Sequence, residues 1–406
     1  MLAFTFPGQG SQKPAMGAPW QDHPSWSLVA QASAVAGRDV AALLLSADAE
    51  ELKETQNAQL ATFVLSMVVF DATRRAGVGA SHVAGHSLGE YSALVAAGVL
   101  DYTDGVRLVT ERGNAMRAAC LVRVGTMAAV LGLDEDLVEA ACAEVRAGGG
   151  EVWLANTNST GQAVIAGSPE AIALAGVAAK ARGAKRIMAV AVTGAFHTPF
   201  MASAQGPLDA ALAAIEFHDG VVPVAANTDA GLHRAGAEWP DLLSRQLCHP
   251  VRWRQLLSTL ATNGVSVLVE LGPGSALTGM AKRTLPDLHT YSAATPQEVL
   301  TLVHELATLV RTNASLPPEQ TPPTDTPTDG EHLFATERLV VSPAAGVFSP
   351  AAELRDGHAV QAGDLLGRVG EHEVRSRFSG WIMGLLAHHG ERVTSRQPVA
   401  WLRTAP

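Results

Sequence analysis

Residues 312–330 read TNASLPPEQTPPTDTPTDG. Five prolines and almost no bulky apolar side chains leave this stretch unable to bury enough surface to offset its ordering entropy. No single core can run through it, so a Pro-rich linker over 312–332 divides the chain into a long N-terminal part and a tail at 333–406. Each part has to find its own core. With 47% of its 406 residues hydrophobic and 17% charged, the chain has apolar surface enough for both.

Composition also excludes some functions. Lys and Arg number 29 against 39 Asp and Glu, a formal charge of −10, which disfavours general attraction to a phosphodiester backbone. No nucleic-acid partner is expected. Cys120, Cys142 and Cys248 are far apart and form no CxxC pair, which fits a reducing, cytoplasmic setting. The start, MLAFTFPGQG, has no basic region and reaches Pro7 and Gly8 before an apolar run of signal length develops, so no export signal is expected. Leu60 to Phe70, the most apolar stretch, is about half of the ~20 residues that span a bilayer. It reads as a buried helix, and no membrane contact is expected.

Before the linker, short apolar runs alternate with Ala-rich stretches of helical period: LAFTF, a helix around 58–75, HVAGHS, then a helix from about 89 to 99. That alternation predicts an α/β layered fold with parallel strands. Residues 126–190 carry a pattern of their own: TMAAVLGL, DEDLVEAACAEV, VWLANTN, QAVIAG, SPEAIALAGVAAKARG and RIMAVAV. They read as an inserted βαββαβ subdomain, ferredoxin-like in order.

The sharpest local signal is Gly85-His86-Ser87-Leu88-Gly89, a G-x-S-x-G pattern after a strand and before a helix. Its glycines permit a tight turn that lifts the Ser87 hydroxyl into the open and aims the next helix N-terminus at a developing oxyanion. Ser87 is the candidate nucleophile, and it needs a base. Of 14 histidines, His197 in VTGAFHTPFM sits just past an apolar run, where active-site residues are commonly displayed. His86 adjoins Ser87 but is expected to point away from it.

FPGQGSQ at 6–12, GHSLGEY at 85–91, ERG at 111–113, GAFHTPFM at 194–201, RQLCHPVRW at 245–253 and ELGPGSALTGMAKR at 270–283 follow one another in one order. In that order the chain resembles the malonyl-CoA:acyl carrier protein transacylases over residues 1 to about 305. The resemblance implies an α/β-hydrolase-like catalytic subdomain at 1–125 and 191–311, interrupted by the subdomain at 126–190. It implies malonyl-CoA and an acyl carrier protein as partners, in fatty acid or polyketide biosynthesis, with Ser87 attacking the thioester and His197 taking its proton. The main-chain carbonyl of Gln246 is then expected to orient His197, its side chain mattering less. The backbone amides of Gln9 and Leu88 are expected to hold the oxyanion, and Arg112 to grip the substrate's free carboxylate with two parallel hydrogen bonds.

Leu after Ser87 and the GAFH sequence resemble malonyl-selective members. Leu121, Val122 and Arg123 depart from the family pattern in a stretch that borders the acyl pocket there. Lys180, Arg182, Lys185 and Arg186, with Lys282 and Arg283, form basic clusters in an acidic chain. They read equally as a steering surface for CoA phosphates or the carrier protein, or as a solvated face.

The tail repeats itself. Gly346, Gly357, Val360 and Leu366 match Gly380, Gly390, Val393 and Val399, with one residue deleted in the second half, which predicts two β-rich halves of one pseudosymmetric barrel. Residues 333–406 resemble biotinyl and lipoyl carrier domains, whose prosthetic group sits on a lysine at the hairpin between halves, here near VGEHEVRS. No lysine occurs after Lys282. Neither biotin nor lipoate is therefore expected, and the unmodified barrel reads as a docking, dimerisation or cleft-covering module, or as one that only adds stability. Three other functions stay open: an acyl-thioester hydrolase, since water can also attack an acyl-serine; a transferase of an unusual acyl group; and a catalytically idle scaffold.

Overall fold

LAFTF buries four of its five residues, the pattern of a strand covered on both faces. In the computed structural model, which describes residues 1–314, 337–351, 354–355, 357–376, 378–395 and 397–403, this segment is β1 (Leu2–Phe6). The chain divides into two compact units, Met1–Pro317 and Pro318–Pro406.

In the first unit the later strands are β2 (His82–Gly85), β3 (Thr126–Leu131), β4 (Val152–Ser159), β5 (Gln162–Gly167), β6 (Arg186–Ala189), β7 (Val224–Ala225), β8 (Leu232–His233), β9 (Val267–Leu271) and β10 (His289–Ala293). The larger sheet has the order β10-β9-β1-β2-β7-β8, parallel throughout except for the antiparallel edge strand β8. It is a mixed α/β sheet with helices packed on it. The apolar stretch from Leu60 lies in the Thr55–Arg75 helix, buried on nearly every side from Thr55 to Val69. Among the described residues no helix is long and apolar enough to cross a membrane. Against it packs the Tyr102–Val122 helix, with Phe63 stacked on Tyr102 at 6.0 Å. The close crossing needs Gly113, where a Cβ would lie 2.8 Å from Gln56 Cα. The residue before it, Arg112, is thereby held deep in the unit.

The second sheet, order β4-β5-β3-β6, is antiparallel throughout. With the Glu135–Ala147 and Pro169–Ala181 helices it encloses a core of its own around Val130, Val138, Ile165 and Ile172. β3 shows the alternation of a two-faced strand: Ala128 and Val130 face that core, while Met127 joins the larger one. β4 also bonds outside its own sheet to the segment ahead of the Trp253–Thr262 helix, with Thr157 N donating to Val251 O and Val251 N to Ala155 O, both at 2.9 Å.

Three elements end elsewhere than the sequence suggests. The helix after Ser87 stops at Ala96, where Gly98 at φ 72° turns the chain. RIMAVAV is a strand only to Ala189, and Val190 and Val192 leave the sheet to line the cavity described below. Residues 312–314, read as linker, complete the Pro296–Ala314 helix, since the prolines begin only at 317. The remainder of the linker, 315–332, lies outside the described residues.

The C-terminal unit contains β11 (Glu337–Val341), β12 (Gly346–Pro350), β13 (Ala359–Val360), β14 (Leu365–Val369), β15 (His372–Arg375), β16 (Gly380–Leu385), β17 (Arg392–Val393) and β18 (Pro398–Arg403). Two four-stranded antiparallel sheets, β11-β18-β16-β13 and β15-β14-β12-β17, share one apolar core around Phe348, Leu366, Ile382 and Leu402. Exchanging β11–β14 with β15–β18 converts one sheet order into the other. The repeat seen in the sequence recurs in the bonding: Gly357 N donates to Ile382 O as Gly390 N does to Phe348 O, and Ser342 Oγ to Ala344 O as Ser376 Oγ does to Phe378 O.

Candidate active site

GHSLG forms the turn from β2 into the Gly89–Ala96 helix. Ser87 has a φ of 53°, a left-handed backbone seldom adopted by residues with a Cβ. The pattern's glycines allow the close packing beneath it: a Cβ on Gly85 would lie 1.8 Å from Gly89 O, and one on Gly89 2.0 Å from Phe6 O.

Ser87 Oγ lies 2.7 Å from His197 Nε2, and His197 Nδ1 lies 2.8 Å from the main-chain oxygen of Gln246. A carbonyl only accepts, so Nδ1 carries the proton and Nε2 is left to accept from the serine hydroxyl. His197 is itself left-handed, at φ 60°. Burial first, and then the Arg112 charge, lower its pKa to about 3, which keeps the ring unprotonated at neutral pH, with Nε2 free to accept.

Arg112 is 1% exposed. Its Nη1 donates to Gln59 Oε1 at 2.6 Å, and its Nη2 to Gln246 Oε1 at 2.8 Å and to Ser87 Oγ at 3.2 Å. The guanidinium also lies over the Tyr91 ring, 5.5 Å from its centroid. Burial works against its charge, and its side-chain hydrogen-bond acceptors among the described residues are neutral. A buried cation so held is poised for an anion. The nearby carboxyl of Glu90 bonds instead to the Gln246 amide, and burial pushes it up to about 8.

A cavity of about 190 Å³ opens beside these groups, lined among others by Gln9, Ser87, Arg112, Met116, Met127 and His197. Gln9 is in its wall, while the Leu88 side chain is 1% exposed and packed in the core. The Gln9 and Leu88 amides have no acceptor among the described residues. His86 does turn from Ser87, its Nε2 lying 2.9 Å from Asn158 Oδ1, yet both residues line the same cavity.

The sequence pattern described as acyl transferase domain matches residues 3–313. A malonyl CoA-acyl carrier protein transacylase of Escherichia coli K12 is 42% identical over 310 residues, which cover 75% of this chain and 99% of the relative. The solved structure of a type II PKS acyl-carrier protein in complex with its malonyl-transacylase superposes with a TM-score of 0.72 at 39% identity, over 75% of this chain and 99% of that one. An acyl carrier protein S-malonyltransferase from Vibrio cholerae gives 0.71 at 37%, over 74% and 99%. The chain belongs to the malonyl CoA-acyl carrier protein transacylase family. The matched span ends at residue 313, ahead of the C-terminal unit.

Two expectations drawn from this family need amending. Leu121 and Val122 are 75% and 79% exposed, and neither they nor Arg123 line the cavity. They follow the last turn of the Arg112 helix outward, and Arg123 lies over the Phe200 ring and pairs with Glu151. The Gln246 side chain is bonded on all sides, its Nε2 donating to Ser87 O at 2.9 Å and to Glu90 Oε2 at 2.5 Å while its Oε1 accepts from Arg112. Of the basic residues, Arg182 is paired with Glu144, and Arg283 donates to Ser159 and Gln162. Asn227, Glu90 and Gln59 were not singled out by sequence reasoning. Asn227 follows β7 at the same sheet end as Ser87, and a polar residue just past a parallel strand was the available signal.

Proposed function

We propose that the chain moves a malonyl group from malonyl-CoA to the phosphopantetheine thiol of an acyl carrier protein, through an acyl-Ser87 intermediate, in fatty acid or polyketide biosynthesis. The observation that carries the reading is the buried Arg112, held by neutral amides and 3.2 Å from the Ser87 hydroxyl. A malonyl ester on Ser87 brings its free carboxylate to that cation, and an acetyl ester has nothing to offer it.

In the first half-reaction the Ser87 oxygen bonds to the thioester carbon as its proton passes to His197 Nε2, and the Gln246 carbonyl stabilises the imidazolium through Nδ1–H. The amides of Gln9 and Leu88 receive the oxyanion, a contribution of about 2.7–4 kcal/mol for one such donor. The C–S bond then breaks, and the CoA sulfur leaves with the proton from His197. In the second half the carrier thiol gives its proton to His197 and its sulfur attacks the ester. Ser87 leaves with that proton, and the enzyme is restored.

The finer fold reading belongs to the same proposal: an α/β-hydrolase-like catalytic subdomain at 1–125 and 191–311, and a ferredoxin-like insertion at 126–190. The C-terminal unit, from 333 after the linker at 315–332, is read as a biotinyl/lipoyl-like barrel used unmodified for docking or dimerisation. Its β14–β15 hairpin turns at Gly370 and Glu371, and no lysine is present to carry biotin or lipoate. Catalysis then needs no cofactor beyond the CoA thioester substrate. Three unpaired cysteines support a cytoplasmic setting. The exposed Lys282, Lys185 and Arg186 are assigned to guiding anionic partners toward the cavity.

The test is intact-protein mass spectrometry after incubation with acetyl-, malonyl- and methylmalonyl-CoA in competition, with Ser87→Ala as control. A malonyl adduct that is absent from the control supports the reading. CoA release without an adduct points to hydrolysis, and neither adduct nor release contradicts the acyl-serine route.

A further inference from the structure

Ser87 presents its hydroxyl only while its backbone stays left-handed, a conformation that persists where the surroundings over-determine it. Two side chains grip the peptide groups on either side. Ser87 N donates to Asn227 Oδ1 at 2.7 Å, while Asn227 Nδ2 donates to Gly85 O at 2.7 Å, so this one amide spans the turn. Ser87 O accepts from Gln246 Nε2 at 2.9 Å. Both gripping residues are in turn held by one carboxyl: Glu90 Oε1 accepts from Asn227 N at 2.6 Å, and Oε2 from Gln246 Nε2 at 2.5 Å. Glu90, Asn227 and Gln246 are all at most 1% exposed.

We propose that Glu90 and Asn227 are positioning residues, a clamp that fixes the Ser87 backbone and the Gln246 side chain so that Ser87 Oγ meets His197 and Arg112 together; this rests on the acyl-Ser87 reading above. The Gln246 amide has one orientation that satisfies its neighbours. Its nitrogen faces two acceptors, Ser87 O and Glu90, and its oxygen faces the Arg112 guanidinium. Gln246 also supplies the carbonyl behind His197, so a shift of this one residue moves nucleophile, base and carboxylate grip at once. The clamp holds Ser87 only by its main chain and leaves Oγ to the chemistry.

The test is rapid-quench measurement of malonyl-Ser87 formation in the full chain, comparing the parent with Asn227→Ala, Glu90→Ala and Glu90→Gln. The rate constant is taken per site able to acylate, which separates slow sites from lost ones. Misplacement of a reacting group by about 1 Å costs on the order of 100-fold. The rate per site is therefore expected to fall about 30–100-fold in the two alanine variants and about 5–10-fold in Glu90→Gln, which keeps one acceptor. The KM for malonyl-CoA should rise by less than the rate per site falls, because Arg112 keeps its bond to Gln59 while its Gln246 partner shifts. A role in folding alone lowers the count of sites and leaves the rate per site intact. Rates per site within about 2-fold of the parent in every soluble variant overturn the clamp. If neither alanine variant is soluble, Glu90→Gln decides by the same criterion. A parent that forms no adduct contradicts the transferase reading itself, whereas a parent that acylates and variants that match it contradict the clamp alone.

Discussion

The two units of this chain handle strain and buried polarity in opposite ways. In the first, the non-glycine residues at positive φ include Ser87 and His197, and around them lie the buried Glu90, Arg112, Asn227 and Gln246. In the second, every described residue at positive φ is a glycine, and the buried polar side chains are Ser342 and Ser376, each bonded to the carbonyl two residues on. The second unit satisfies its polar groups locally and twice over, by a repeated device. Around the site the first joins them across long sequence separations, 110 residues between Ser87 and His197 and 159 between Ser87 and Gln246. Uncompensated strain and buried charge are costly, so their concentration around one hydroxyl marks where stability is given up for chemistry.

That contrast can be broken most sharply at Ser87 and His197. Ser87→Ala or His197→Ala should lower malonyl adduct formation by about 10⁴-fold or more, as for nucleophile and base acting as a unit. Either loss should leave the thermal transition of the folded protein nearly unchanged. In the C-terminal unit the reverse is expected. Phe348→Ala empties the centre of its apolar core and should cost that unit about 3–5 kcal/mol. Amide hydrogen exchange in β12 and β14 would read the loss, with malonyl adduct formation unaltered.

Arg112→Ala should reduce kcat/KM for malonyl-CoA about 100–1,000-fold while changing that for acetyl-CoA far less. Parallel assays with the two thioesters measure the ratio. Gln246→Ala keeps the carbonyl behind His197 and removes the side chain held by Ser87, Glu90 and Arg112. A loss of about 10–100-fold in kcat is expected, short of abolition.

The smallest effect concerns pH. A base whose pKa is depressed remains neutral as the medium acidifies, and its function is lost only as pH falls through the lowered value. Malonyl adduct formation should thus hold level through the ordinary imidazole range near 6.5 and decline well below it, in keeping with a pKa of about 3. A rate profile with its acid limb at 6.5 or above would show that burial does not set the His197 proton affinity.

Much of this was legible in the amino-acid sequence, for physical reasons that differ between residues. GHSLG announces itself because the turn it makes excludes a Cβ at Gly85 and Gly89. The tail's halves declare their symmetry because Gly357 and Gly390 share a left-handed turn, and Val360 and Val393, like Leu366 and Val399, share buried strand positions. Glu90 and Asn227 were not legible. A carboxylate one residue past the elbow usually meets water, and nothing local reveals that this one is enclosed by an asparagine 137 residues away. The reach of the Gln246 side chain was missed for the same reason, since the residues it joins, Ser87 with Glu90 and Arg112, come from two stretches far from it in the chain. Leu121 and Val122 misled in the other direction: the family resemblance set their stretch beside the acyl pocket, but here the helix ends there and they are exposed.

The central claim is that the strained, charge-lined site of the first unit makes an acyl-enzyme and passes the acyl group on to a thiol. The most direct measurement is a chase. Malonyl-enzyme, freed of CoA and with the adduct mapped to the Ser87 peptide, is mixed with a carrier protein bearing phosphopantetheine, and malonyl-carrier and free malonate are followed together over time. Transfer to the carrier thiol that outpaces malonate release, and a stable adduct when the carrier is absent, are the predicted result. Malonate appearing at one rate with or without the carrier would contradict the account and leave the site a thioester hydrolase.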